Sequence, residues 1–247
     1  MTVIRESELA DTRYVTANRL TAEANRSRKY AVAIGVPVVI FAIAVLPQLW
    51  WLFLGALAIL VVLMLNAGTI KRAGAQGEDA TLKVLSTLPD SYFILNQLMI
   101  PSAGGRSGFS EMDFVVVGPN GLFVIEVKNN NSRIAGSEED REWVIHKVGR
   151  RGTPYSSHMK NPIKQVKGQI WALTNFLKER RHKAWIDGIV YFSHPQCQVE
   201  VRGTPSVRIL QHRGLVDCIV NHQPKFPPRN PGRIADDLAA TRALAPM

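Results

Sequence analysis

Residues 31–67 contain no Asp, Glu, Lys or Arg, although the 247-residue chain carries 30 basic and 20 acidic residues elsewhere. No other feature constrains the fold so strongly. An ordinary one-domain soluble enzyme spreads its charge along its whole length, so this chain is not one. The mean hydropathy of −0.01 therefore averages two unlike parts. The uncharged stretch divides at Pro47-Gln48 into segments of about 30–46 and 49–66. A membrane-spanning helix needs about 20 mostly apolar residues. The second segment, LWWLFLGALAILVVLML, meets that length, whereas Ala31–Leu46 is short, carries Pro37, and comes within reach only with Tyr30 and Gln48 added. Antiparallel helices need only a short connection. A two-helix transmembrane hairpin over residues 30–67, with the lipid bilayer as partner, is the expectation. Trp50 and Trp51 at its turn suit the membrane interface.

Arg26, Arg28 and Lys29 precede the stretch, and Lys71 and Arg72 follow it. Basic flanks stay in the cytoplasm, and two crossings return the chain to its starting side. Both termini and the large domain are thus expected in the cytoplasm, at a bacterial-type cell membrane. A signal peptide fits poorly because a polar prelude of 30 residues comes first. A buried hairpin in a soluble core is the other reading, weakened by the lack of any charge. With only one short apolar piece, the chain is no multispan transporter. Cys197 and Cys218 show no repeated spacing, which excludes a disulfide framework and a Cys-rich zinc site. A reducing compartment is the simpler setting.

The remainder divides into a cytoplasmic segment 1–29, a linker 68–76, a domain 77–221 and a tail 222–247. Net charge is +2 over residues 1–30 (six basic against four acidic) and +8 over 68–247 (24 against 16). Glu78 to Leu88 reads as an amphipathic helix stopped by Pro89-Asp90, Tyr92 to Ile100 as a strand, and Ser102 to Ser110 as a mobile loop. Asp113 to Val117 and Leu122 to Lys128 are strands joined across Gly118-Pro119-Asn120-Gly121. Both are apolar on both faces, as central strands of a layered α/β domain are. Glu142 to Val148 is a weaker strand. Pro162 to Arg180 is the best helix, with Asn161 as N-cap and Pro162 at its first position. Further strands end at Phe192 and Leu210, and helices are expected over 213–220 and 234–244.

Three ionisable residues end the apolar strands: Asp113, Glu126 and Lys128. A carboxylate in a nearly dry sheet costs several kcal/mol unless it is paired or bound to a cation. Glu126 and Lys128 are two apart, hence on one face about 6.6 Å apart along the strand. A loop centred on Pro119-Asn120 pairs residues whose numbers sum to 239 and sets Asp113 opposite Glu126. A type I′ turn at Asn120-Gly121 sets Asp113 opposite Lys128 instead. A Pro-Asn-Gly loop with a bulge turns Asp113 to the other face. Gathering all three leaves less buried charge unsatisfied and is favoured. Adjacent carboxylates suit a hard cation, Mg²⁺ or Mn²⁺, which lowers the pKa of a bound water. Lys128 is then placed to hold or help deprotonate that water. A plain ion pair at a sheet edge is the simpler reading.

Gly77-Glu78, the run Glu111-Met112-Asp113-Phe-Val-Val-Val-Gly-Pro-Asn-Gly-Leu-Phe-Val-Ile-Glu126-Val-Lys128-Asn129, Trp143, and Asn161-Pro162-Ile163-Lys164-Gln165 resemble the nuclease-related domain (NERD) family. The likeness runs from about Gly74 to about Ile219. It implies a restriction-endonuclease-like PD-(D/E)xK core: an α/β fold with a central mixed sheet flanked by helices. It also implies metal-binding Asp113 and Glu126, catalytic Lys128, and supporting roles for Glu78, as a metal or water ligand, and for Gln165. Met112 stands where the superfamily signature has Pro. Read by themselves, Glu78 complements its helix dipole and Gln165 is a solvated helix residue.

From Arg141 to Lys183 there are 11 basic residues against Glu142 and Glu179. Among them Arg150, Arg151, Lys160, Lys164 and Lys167 are the candidate contacts to a nucleic-acid backbone, DNA or RNA, without sequence preference. Trp171, Tyr155 and His158 could stack on bases, although Trp171 at helical spacing with Leu173, Phe176 and Leu177 fits a core as well. Anionic lipid heads would suit the same basic face. The six histidines show no zinc-type spacing, and no G-x-S-x-G or phosphate-cradling Gly-rich motif is present. The resulting expectation is a membrane-anchored, metal-dependent nuclease, with a non-catalytic nucleic-acid or protein-binding module as the alternative.

Overall fold

The computed structural model describes residues 13–16, 18–45, 55, 57–59, 73–102, 108–149 and 152–241. Two compact units emerge: Met1–Thr16 together with Gly77–Met247, and Ala17–Gln76.

In the larger unit, β1 (Arg13–Tyr14), β2 (Phe93–Pro101), β3 (Phe109–Gly118), β4 (Gly121–Lys128), β8 (Ile186–Phe192) and β10 (Arg208–Gln211) form one mixed sheet in the order β1-β2-β3-β4-β8-β10. β2, β3 and β4 are antiparallel to their neighbours in this series, whereas β4, β8 and β10 run parallel. The apolar β3 and β4 are central, because every residue from Phe114 to Val117 and from Leu122 to Val127 is buried. One face is covered by α3 (Pro162–Glu179) and α5 (Pro231–Ala240). Leu85 and Leu88 in and after α2 (residues 73–85), with Leu215 and Ile219 of α4 (Leu215–Val220), cover the other. A helix on each face is what a sheet apolar on both sides requires.

A second sheet, β7-β6-β5-β9, comprises β5 (Arg133–Ser137), β6 (Glu142–Val148), β7 (Pro154–Lys160) and β9 (Gln198–Arg202). Trp143 of β6 is fully buried, and a Cβ at Gly136 of β5 would come within 2.3 Å of its ring, so glycine is needed for the strand to lie against the indole. Asn161 joins this sheet to α3. Its Oδ1 accepts from Ile163 N and Lys164 N, while its Nδ2 contacts the carbonyls of Ser137, Glu138 and Asp140 at 2.7–3.0 Å. One buried side chain thus caps the helix and ties down the β5–β6 turn.

Two boundaries differ from the sequence reading. Residues 73–76, taken as linker, are already helical, as Ala73, Ala75 and Gln76 favour. Residues 13–16 do not stand apart but join the edge of the large sheet. There Asn96 Nδ2 donates to Thr16 O (2.9 Å) and Asn96 Oδ1 accepts from Thr16 N (2.8 Å).

In the smaller unit, α1 (Arg19–Val45) begins polar and turns apolar at Tyr30, with Pro37 inside it. No described helix is long and apolar enough to cross a membrane. Of the segment 49–66, only Gly55 and residues 57–59 are described, all helical; the rest lies outside the described residues. Tyr30, Ile34, Val38 and Phe41 on α1 are each at least 60% exposed.

Candidate functional site

The β3–β4 hairpin decides how the ionisable residues meet. Gly118 pairs with Gly121 and Phe114 with Ile125, so paired numbers sum to 239 and the loop is Pro119-Asn120. Neither loop residue takes a positive φ, which excludes the type I′ turn. Pairing stops at Phe114–Ile125, one step short of Asp113 and Glu126, while β4 continues alongside β8 to Lys128. Where the strands part, Asp113 Oδ2 accepts the Val127 N–H at 2.7 Å, as a backbone carbonyl would.

Glu126 is 5% exposed and has both oxygens engaged. Lys128 Nζ donates to Oε1 at 2.5 Å, and Gln169 Nε2 donates to Oε2 at 2.7 Å. The same Gln169 nitrogen reaches Glu111 O at 2.9 Å. It is thus Gln169, on the buried stripe of α3, that contacts Glu126, and not Gln165, which the resemblance implied as a supporting residue. The latter lies one turn earlier and only partly buried. The signal for Gln169 was a polar residue within the stripe Ile163, Val166, Ala172, Leu173, Phe176 and Leu177.

Glu78, on α2, accepts from Gln97 Nε2 at 2.7 Å. Close approach of α2 depends on Gly77, where a Cβ would lie 2.5 Å from Asn129 Cβ. Gln97 was not anticipated. It interrupts β2 with φ +48°, a conformation that non-glycine residues rarely adopt. Strained backbone of this kind concentrates at functional sites.

Burial is the main cause that pushes the Asp113 carboxyl well above the usual range; Glu126 and Glu78 push the same way, against Lys128 and the Val127 N–H. Glu78 is also raised, first by burial, then by Glu111, Asp79 and Glu126, with the Gln97 hydrogen bond opposing. Asp113, Glu126, Lys128 and Glu78 therefore share one electrostatic site. Three carboxyl groups share a single ammonium, so their full ionisation would leave negative charge in excess. Among the described residues no group of three His, Cys, Asp or Glu is poised to hold a metal. The chemistry of the donor set nevertheless fits a hard cation: its ligands are carboxyl oxygens, and Gln169 Oε1, on the side chain that meets Glu126, is buried with no partner among the described residues.

Residues 73–193 match the nuclease-related domain family, NERD. This segment is a NERD domain. It contains Glu78, Gln97, Asp113, Glu126, Lys128 and Gln169, and its mixed α/β core is consistent with a PD-(D/E)xK-like fold. An uncharacterized protein of Bacillus anthracis is 25% identical over 155 residues, covering 62% of this chain and 68% of that one. No solved structure matches significantly.

The basic candidates of the NERD domain separate. Arg150 and Arg151 lie outside the described residues. Lys164 Nζ donates to Glu139 O at 2.9 Å, and Lys167 pairs with Glu138 at 2.7 Å. That contact and the Ser206 hydrogen bonds lower the Glu138 pKa to about 2. Lys160 lies exposed on the edge strand β7, with Tyr155 and His158. Trp171 is 55% exposed, unlike its buried neighbours Leu173, Phe176 and Leu177, so it is not core.

Proposed function

We propose that this protein is a membrane-anchored, divalent-metal-dependent nuclease that hydrolyses phosphodiester bonds of DNA or RNA at the cytoplasmic face. The meeting of Asp113, Glu126 and Lys128 where β3 and β4 part carries the reading. Asp113 and Glu126, with Glu78, would hold Mg²⁺ or Mn²⁺, which when bound supplies a water of lowered pKa and stabilises charge on a phosphate oxygen. Gln169 holds the Glu126 rotamer through Oε2. Lys128 Nζ, on the same strand as Glu126, is placed to orient the attacking water and to take up or return its proton. Lys160 and Trp171 offer a phosphate contact and a stacking surface to a strand bound without sequence preference.

Anchoring through residues 30–67 is supported from two sides. The apolar side chains of α1 are exposed, as they would be toward lipid. Residues 13–16 and 77–241, which flank the stretch, belong to one compact unit, so any crossing must be made an even number of times.

Mg²⁺-dependent cleavage of single- and double-stranded DNA and RNA by the full-length chain, alongside Asp113→Asn and Glu126→Gln, tests the mechanism. Both variants should lose at least 100-fold, roughly the value of one well-placed catalytic group. Equal cleavage by all three proteins would refute it. One observation favours a second reading, a non-catalytic binding module tethered to the membrane: both oxygens of Glu126 already have protein partners. Salt-sensitive nucleic-acid binding with neither cleavage nor Mn²⁺ affinity would establish that module.

A further inference from the structure

Arg181, Lys183, Arg229 and Arg233 converge around a cavity of about 270 Å³, well away from the carboxylates. α3 carries Gln169 at the carboxylate site and ends at Glu179, roughly 15 Å further on, just before Arg181. The four cations come from the end of α3, the approach to β8, the loop before α5 and the first turn of α5. Arg181 and Lys183 belong to one local basic run, and tertiary folding brings that run against Arg229 and Arg233.

Among the described residues their charge is uncompensated. No carboxylate among the described residues forms an ion pair with any of the four. The nearby Asp237 is taken by His182 Nε2 at 2.6 Å. Like charges around one small cavity repel, and a bound polyanion turns that repulsion into attraction.

The walls are fixed. Trp185 N donates to Phe226 O at 3.2 Å, and the Lys225 ammonium lies 4.8 Å from the centre of the Trp185 ring, so the loop leading to Arg229 is held against the start of β8. Arg181 has φ +60°, the position after a helix where glycine usually stands. The fold keeps an arginine there at the expense of backbone comfort. Asn230 Oδ1 already caps α5 by accepting from Arg233 N at 3.1 Å, so the attraction lies in the side-chain cations and not in the helix end.

We propose that this cavity binds a compact polyvalent phosphate, a diphosphate group. Guanidinium forks pair two-to-two with phosphate oxygens, and four cations match the charge of a diphosphate. The volume lies just below the roughly 300–1,000 Å³ of ordinary ligand pockets, which suits a small charged group. The inference does not depend on the nuclease reading.

Calorimetric titration of the full-length chain in detergent with pyrophosphate tests the site, with geranyl diphosphate and a single-stranded oligonucleotide as parallel ligands. Pyrophosphate should bind and raise the melting midpoint. Arg229→Ala combined with Arg233→Ala should weaken binding at least tenfold, while Lys83→Ala, on α2, should leave it unchanged. Arg181→Gly should raise the melting midpoint and still weaken pyrophosphate binding, a combination that a merely structural arginine would not give. Geranyl diphosphate binding that is tighter than that of pyrophosphate and lost in the double variant would identify a lipid-linked diphosphate as the source; indifference to the prenyl chain would identify a soluble one. No binding at millimolar pyrophosphate, or unchanged binding in the double variant, would overturn the proposal. So would a response to the oligonucleotide alone.

Discussion

Gln97 stands across the β2–β3 ladder from Asp113, and there alone between Phe93 and Pro101 the pairing lapses. Its positive φ reverses the usual strand preference. Gln97→Gly should leave stability within about 1 kcal/mol of the wild type or raise it, whereas Gln97→Val should cost at least about 1–2 kcal/mol, because a β-branched residue fits the left-handed region poorly. In an ordinary strand valine is the better residue. Urea denaturation of the two variants decides it: a more stable valine variant would mean that the strand is not broken at Gln97.

Gln169 and Gln165 differ by one helical turn and should differ sharply in effect. Gln169→Leu removes the donor to the buried Glu126 Oε2 and should destabilise by about 1–3 kcal/mol, the cost of leaving a buried acceptor unsatisfied. Gln165→Ala should change stability by less than about 0.5 kcal/mol. Any cleavage activity should fall with the first variant and survive the second, as parallel denaturation and nuclease assays would show.

Asn161→Ala should cost about 2–4 kcal/mol. About 1 kcal/mol is the loss of a helix cap, and the rest comes from the carbonyls of Ser137, Glu138 and Asp140, which lose their donor. Asn161→Asp keeps the cap but removes the donor, so its loss should be intermediate. Chemical denaturation ranks the three proteins.

The raised carboxyls of Asp113 and Glu78 predict a pH dependence of the metal-free protein. Because the folded state holds these protons more tightly than the unfolded state, stability contributed by the two groups is greatest below the ordinary carboxyl values of 3.8 and 4.5. It declines as pH rises from there through the raised folded values. Asp113→Asn should flatten this decline. Mn²⁺ should oppose it, since a cation favours the ionised form. Melting temperatures across pH 4–8, with and without Mn²⁺, provide the check.

Much of the core was legible because β3 and β4 are apolar on both faces, which only a central, doubly covered position explains. Their register followed from the short Pro119-Asn120 loop once the turn type was known; sequence alone left three registers open. The second sheet was mostly hidden. β7 is mostly exposed, with only Ser157 and Met159 half-buried, and carries no apolar alternation, and β5 contains the glycine that admits Trp143. Gln169 went unrecognised because two glutamines one turn apart look alike until the sheet shows which one it meets. Gln97 escaped for a different reason: its conformation is imposed by what surrounds it, and nothing in FILNQLMIP announces a break.

The Val127 N–H that ends on Asp113 has a consequence for how such a site persists. By taking the place of a backbone acceptor, this carboxylate serves the fold as well as any chemistry, and alanine in its place would strand an amide in the protein interior. Selection for folding alone would then retain Asp113 whether or not the site cuts anything. In a site built this way, the aspartate by itself is a weak witness to catalysis.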